Sequence, residues 1–153
     1  MRSVGFRCTG ERFHFVVLDG SQDEPEVVKS GLRKAPVGLD RPAVLQWLRR
    51  EVQEILTSFE PQCAFFKATE TNSRNKDMDR AQFEGVLMEA ALSHRLQLSV
   101  VGRVKSQVRH DTGFERPARY VQELAEQGPA AQFTSPNERD AYLAALCGLH
   151  DNP

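Results

Sequence analysis

The chain opens with three short runs rich in Val, Phe and Leu: Val4-Gly5-Phe6-Arg7-Cys8, Phe13-His14-Phe15-Val16-Val17-Leu18 and Glu26-Val27-Val28-Lys29-Ser30-Gly31-Leu32. Thr9-Gly10-Glu11 and the polar stretch Asp19 to Pro25 separate them, a spacing that predicts an antiparallel meander. The period then changes. From Arg41-Pro42 onward Val44, Leu45, Leu48, Val52, Ile55, Leu56 and Phe59 recur at three- and four-residue intervals, with Arg49, Arg50, Glu51 and Glu54 between them. That pattern predicts an amphipathic helix, ended by Pro61. Gln62-Cys63-Ala64-Phe65-Phe66-Lys67 reads as a buried parallel strand, followed by a polar loop over Thr69 to Lys76. Asp79 is expected to cap a second helix through Phe83, Leu87, Met88, Ala91 and Leu92, in which Gly85 either permits close backbone approach or is a mild cost. Leu96 to Val101 is expected to be a further strand. After Arg103 to His110 come a helix from about Arg116 to Gln127, a Gly128-Pro129 break and a last helix. Three strands, helix, strand, helix, strand and then helices predict an α/β fold: a mixed sheet, antiparallel and then parallel, with helices on both faces.

The last helix carries the sharpest local signal. In Ser135-Pro136-Asn137-Glu138-Arg139-Asp140-Ala141-Tyr142-Leu143-Ala144-Ala145-Leu146-Cys147 the serine suits the cap, the proline the first helical position, and Glu138 the third position of a capping box. Beyond Asp140 nearly every side chain is apolar. An ionised carboxylate on such a helix loses more by desolvation than it regains unless a cation, a metal or hydrogen bonds hold it. Asp140 is therefore expected to meet a charged partner from elsewhere in the chain. The alternative is a solvated edge from which it favours the helix dipole.

Composition narrows the field. The 153 residues, 40% hydrophobic and 27% charged, suit one domain over residues 1–153 with a core of its own. A formal net charge of -1 supplies no global field toward nucleic acid or an anionic membrane. No apolar run approaches membrane-spanning length, and Arg7 interrupts the opening residues too soon for a secretory signal, so the expectation is a cytoplasmic protein with no membrane partner. Cys8, Cys63 and Cys147 are widely separated and lack the paired short spacing of a zinc site; they read as three reduced core thiols.

Four stretches then combine: Val4-Gly5-Phe6-Arg7 on the first strand, Phe65-Phe66-Lys67 at the end of the fourth, Val101-Gly102-Arg103-Val104-Lys105-Ser106-Gln107-Val108 after the fifth, and Asn137-Glu138-Arg139-Asp140-Ala141 on the last helix. In order and on the expected elements, they resemble the Gly-Ile-Asp strand, the strand ending in Glu, the Val-Lys segment and the Asp-x-x-Asp-Ala helix of the RuvC-like resolvase branch of the ribonuclease H-like fold. The likeness covers nearly the whole chain and extends in particular to small bacterial RuvC-like proteins with altered catalytic positions. It implies a nuclease ancestry in which about four carboxylates hold two divalent ions that clamp the attacking and leaving oxygens. Here the matching positions hold Arg7, Lys67, Asn137 and Asp140, and only the last keeps its carboxylate. Two cations in place of two anions repel magnesium, so a degenerate site with no metal and no cofactor is expected.

Other residues offer less. Glu70, three positions past Lys67, and Glu138 are the carboxylates with which Asp140 would have to build a divergent one-ion nuclease site; a solvated loop and a capping box explain them more simply. Asp19 reads as a turn residue, and His14 and His110 have no partner at defined spacing. Ser99 and Ser106 lack a nucleophile-elbow context, and no Gly-rich phosphate loop follows a strand. From Lys67 to Arg119 ten Lys or Arg stand against seven Asp or Glu. Arg74, Lys76, Arg103, Lys105 and Arg109 fall near strand ends, where a sheet of this kind presents its site, and are the candidate contacts to DNA or RNA phosphates; a solvated rim is the simpler alternative. Aromatic residues for base stacking are sparse there, Phe83 and Phe114 only. The leading expectation is a non-catalytic RuvC-like accessory or binding protein, with nucleic acid as the candidate partner. The alternatives are the divergent nuclease and a structural protein that binds another protein or its own copies.

Overall fold

The structure, a computed structural model, describes residues 1–70, 77–117, 119, 121 and 132–150. Strands β1 (Arg2–Cys8), β2 (Arg12–Gly20) and β3 (Pro25–Lys34) form the meander, β1 with β2 and β2 with β3 both antiparallel. The first turn is tight, Thr9 N donating to Arg12 O at 2.9 Å, and Gly20 leaves β2 at φ 100°, where a side chain would be strained. Helix α1 (Arg41–Phe59) starts where the sequence placed it, with Asp40 accepting from Ala43 N at 3.1 Å and a proline in the first turn. Strand β4 (Cys63–Lys67) then pairs parallel to β1, and β5 (Val101–Arg103) parallel to β4. The resulting sheet has the order β3-β2-β1-β4-β5, with the first three strands and β4 disposed as the sequence predicts.

Two details differ. Helix α2 (Met78–Ser93) is capped by Asp77, which accepts from Arg80 N at 3.1 Å; Asp79 lies within the first turn. The strand expected over Leu96 to Val101 is displaced to Val101–Arg103. Gln97 adopts φ 50° and Leu98 N donates back to Ala91 O, so this stretch closes α2 before any ladder begins. Helix α3 (Lys105–Thr112) follows β5, and α4 (Pro136–Cys147) is the last described helix. The helix expected over Arg116 to Gln127 lies largely outside the described residues, as does most of the loop Thr69 to Lys76.

The period of two along each strand divides the core. Val4, Phe6, Phe13, Phe15, Ala64 and Phe66 point toward α1 and α2, where Leu48, Val52 and Leu56 are wholly buried, each contributing about 1.5–3 kcal/mol of transfer free energy. Val16 and Leu18 point to the opposite face, against α4, which is buried from Ala141 to Cys147. Gly5 makes that second layer possible. A Cβ there would lie 2.1 Å from Ala141 O and 2.3 Å from Ala145 N, so α4 rests directly on the β1 backbone. Cys8 and Cys147 are buried free thiols, Cys63 is partly buried, and burial pushes Cys8 and Cys147 each up to about 12. Among the described residues no helix is long and apolar enough to cross a membrane.

Candidate functional site

Parallel neighbours β1 and β4 end side by side, Phe6 opposite Phe66, which sets Arg7 and Lys67 next to one another. Both alternate onto the face that α4 covers. Because Gly5 seats α4 on β1, the first turns of that helix pass over Arg7. Ser135 Oγ accepts from Glu138 N at 3.2 Å and Glu138 Oε2 accepts from Thr134 N at 3.0 Å, so Glu138 serves the helix start. Asn137 lies one turn before Asp140.

Of the two strand cations, Arg7 meets Asp140: Nε donates to Oδ2 at 3.0 Å, with side chains 17% and 26% exposed. The guanidinium also donates to Cys8 O. Lys67 is turned elsewhere, its ammonium 3.1 Å from Glu70 Oε1 and 3.3 Å from Ala68 O. The same Glu70 oxygen accepts from Lys105 N at 2.8 Å, a cap for α3 that Val104 has no side chain to provide. Burial raises the Glu70 carboxyl, but the hydrogen bonds from Lys105 N–H and Lys67 outweigh it and hold it below the usual range.

A third pair completes the edge and was not read from the sequence. Arg80 Nε lies 2.8 Å from Glu84 Oε1 on α2, both side chains 13% exposed, and Arg80 Nη2 donates to Lys67 O at 2.7 Å. Burial raises the Glu84 carboxyl against the pull of Arg80, Arg7 and Lys67. The available signal was the i,i+4 spacing of Arg80 and Glu84 about the core residue Phe83. On the other flank His14 is cross-strand from Arg7 and buried; burial lowers its pKa, Glu138 opposes this, and Arg12 and Arg7 reinforce it.

Three carboxylates at the edge are thus each held by a cation: Asp140 by Arg7, Glu70 by Lys67 and Glu84 by Arg80. A metal needs several free oxygens converging on one point. Among the described residues no three His, Cys, Asp or Glu side chains are so grouped, and Asp140, Glu70 and Glu138 are separately engaged. Of the rim candidates, Arg103 is drawn to Asp111 at 2.6 Å and stacks 5.3 Å above Phe65. Lys105, whose backbone N–H meets Glu70, and Arg109 are both exposed on α3. Arg74 and Lys76 lie outside the described residues.

No family model and no curated protein matches the sequence. Solved structures do match the fold. Thermus thermophilus RuvC superposes with a TM-score of 0.77 at 15% identity, covering 96% of this chain and 92% of that one. The same protein in complex with Holliday junction substrate gives 0.75 at 16% identity, over 96% and 91%. The yeast mitochondrial Holliday junction resolvase gives 0.62 at 12% identity, over 97% of this chain and 77% of its own. With its meander, parallel crossovers and helix seated across β1, the chain has the RuvC-like form of the ribonuclease H-like fold.

Proposed function

We propose that this chain is a non-catalytic RuvC-like binding protein that contacts nucleic acid through a cationic rim beside a site closed by ion pairs. The observation that carries the reading is the Arg7–Asp140 pair at the strand and helix positions where the RuvC-like pattern has carboxylates. An arginine there already supplies the charge compensation a divalent ion would bring, and pairing leaves the carboxylate without the open coordination an in-line phosphoryl displacement requires. Support for nucleic acid comes from the neighbours, since the Thermus RuvC and fowlpox virus resolvase structures hold Holliday junctions. It comes also from the exposed Lys105 and Arg109 on α3. Phosphate contacts of this kind position a duplex without reading its sequence.

Fluorescence anisotropy with a labelled four-way DNA junction over a potassium chloride series tests the binding. Affinity is expected to fall steeply with salt. Lys105→Ala combined with Arg109→Ala is expected to weaken it alike for all sequences and to lower the slope of log affinity on log salt by about 2. Absence of binding at low salt would instead favour a protein partner.

A further inference from the structure

His94 closes α2, and its ring organises the passage of the chain from that helix to β5. The side chain is only 8% exposed. Nδ1 accepts from Leu96 N at 3.2 Å, so it carries no proton; the proton of the neutral ring sits on Nε2, 2.8 Å from Thr57 Oγ1 on α1. One ring thus ties the connecting stretch to two helices. Around it Gln97 N donates to His94 O at 2.8 Å and Leu98 N to Ala91 O at 3.2 Å, while Leu96 and Leu98 pack on the core. Between these contacts Gln97 is held at φ 50°, a conformation a non-glycine residue keeps only where its surroundings fix it.

We propose that His94 is a pH-sensitive clasp whose protonation frees the connection over residues 95–100 from α1 and α2. A protonated ring donates from both nitrogens. Nδ1–H would then face Leu96 N–H, donor against donor, and turning the ring to avoid this also breaks the bond to Thr57. The charges on the elements packed around the ring offer no relief. On α1, Glu60 is bonded to Arg95 and Glu54 faces Arg33; on α2, Glu89 is bonded to Ser93 and Arg49; in the connection, Arg95 disfavours a second cation. A helix C-terminus ordinarily favours a cation, but Ala90 O is already taken by His94 N and Gln53 Nε2, and Ala91 O by Leu98 N. Burial accordingly lowers the His94 pKa, and Arg95 reinforces it. A freed ring returns to the ordinary value of about 6.5, so the open form takes up the proton more readily and acid favours opening.

Amide hydrogen exchange followed by NMR between about pH 7.5 and 5 tests this. Hydrogen bonds from Arg95, and from Ser93 and Arg49, hold the Glu60 and Glu89 carboxyls below the usual range, so both stay ionised while His94 titrates. The Leu96 and Leu98 amides are expected to be less protected than Val52 and Leu56 of α1 at every pH, because the connection opens without the whole fold. Below about pH 6.5 their protection is expected to fall by up to about tenfold per pH unit, the slope that one proton taken up on opening permits. Ring nitrogen shifts are expected to show the Nε2–H tautomer and a midpoint below that of the exposed His110. His94→Asn, whose Oδ1 accepts from Leu96 N–H and takes up no proton, is expected to keep the protection and lose its pH dependence. An Nδ1–H tautomer at neutral pH would overturn the proposal. So would Leu96 protection that equals that of Val52, that is unchanged as His94 titrates, or that falls with the same slope in His94→Asn.

Discussion

Gly5→Ala is expected to destabilise the protein by about 3 kcal/mol or more, the largest loss from a single added methyl group anywhere in the sheet. The new Cβ would collide with the backbone of α4 at Ala141 and Ala145, and neither atom belongs to a side chain that can rotate away. Relief requires the helix to lift from β1, which uncovers Val16 and Leu18 and pulls Asp140 from Arg7. Urea unfolding followed by circular dichroism measures this as a lower midpoint at unchanged slope, or as a chain already unfolded in buffer. A variant as stable as wild type would mean that α4 does not rest on β1 at Gly5.

Asp140→Ala is expected to cost about 2–3 kcal/mol, because Arg7 is left largely buried without its counter-charge and solvent reaches the site only in part. The pair is best separated from mere packing by a double-mutant cycle. Asp140→Ala with Arg7→Met is expected to recover part of the loss, since the orphaned charge disappears with its partner. Asp140→Ala with Lys67→Met is expected to be close to additive, because Lys67 is held by Glu70 and not by Asp140. Coupling in the second cycle and not in the first would reverse the assignment.

That contrast marks how far the sequence could be read. Meander, first helix and parallel fourth strand were all legible, because each rests on strong periodicity closed by turn or breaking residues such as Thr9-Gly10-Glu11, Pro42 and Pro61. The fifth strand was misplaced because Leu96, Leu98 and Val100 alternate like a strand; the alternation reflects one-sided burial of an irregular segment, and ladder pairing begins only at Val101. The three acids Asp77, Asp79 and Glu84 look alike on paper, and only the path of the chain makes the first a cap and the last a largely buried ion-pair partner. Asp140 was legible as a carboxylate that needs either a charged partner or a solvated edge, because the run after it is apolar, and the structure gives it the partner. Which cation answers was not legible, because Arg7 and Lys67 are equivalent in the pattern. Glu70 decides it from three residues further along, through a contact with α3 that no spacing rule anticipates.

The most direct test of the closed site is incubation of the purified protein with a labelled four-way DNA junction and matching RNA and duplex substrates, in magnesium and then in manganese, resolved on denaturing gels. With Asp140 held by Arg7 and no open carboxylate cluster among the described residues, every strand is expected to remain intact at protein concentrations that saturate binding. Metal-dependent cleavage that Asp140→Asn abolishes would contradict this and make the chain a divergent nuclease.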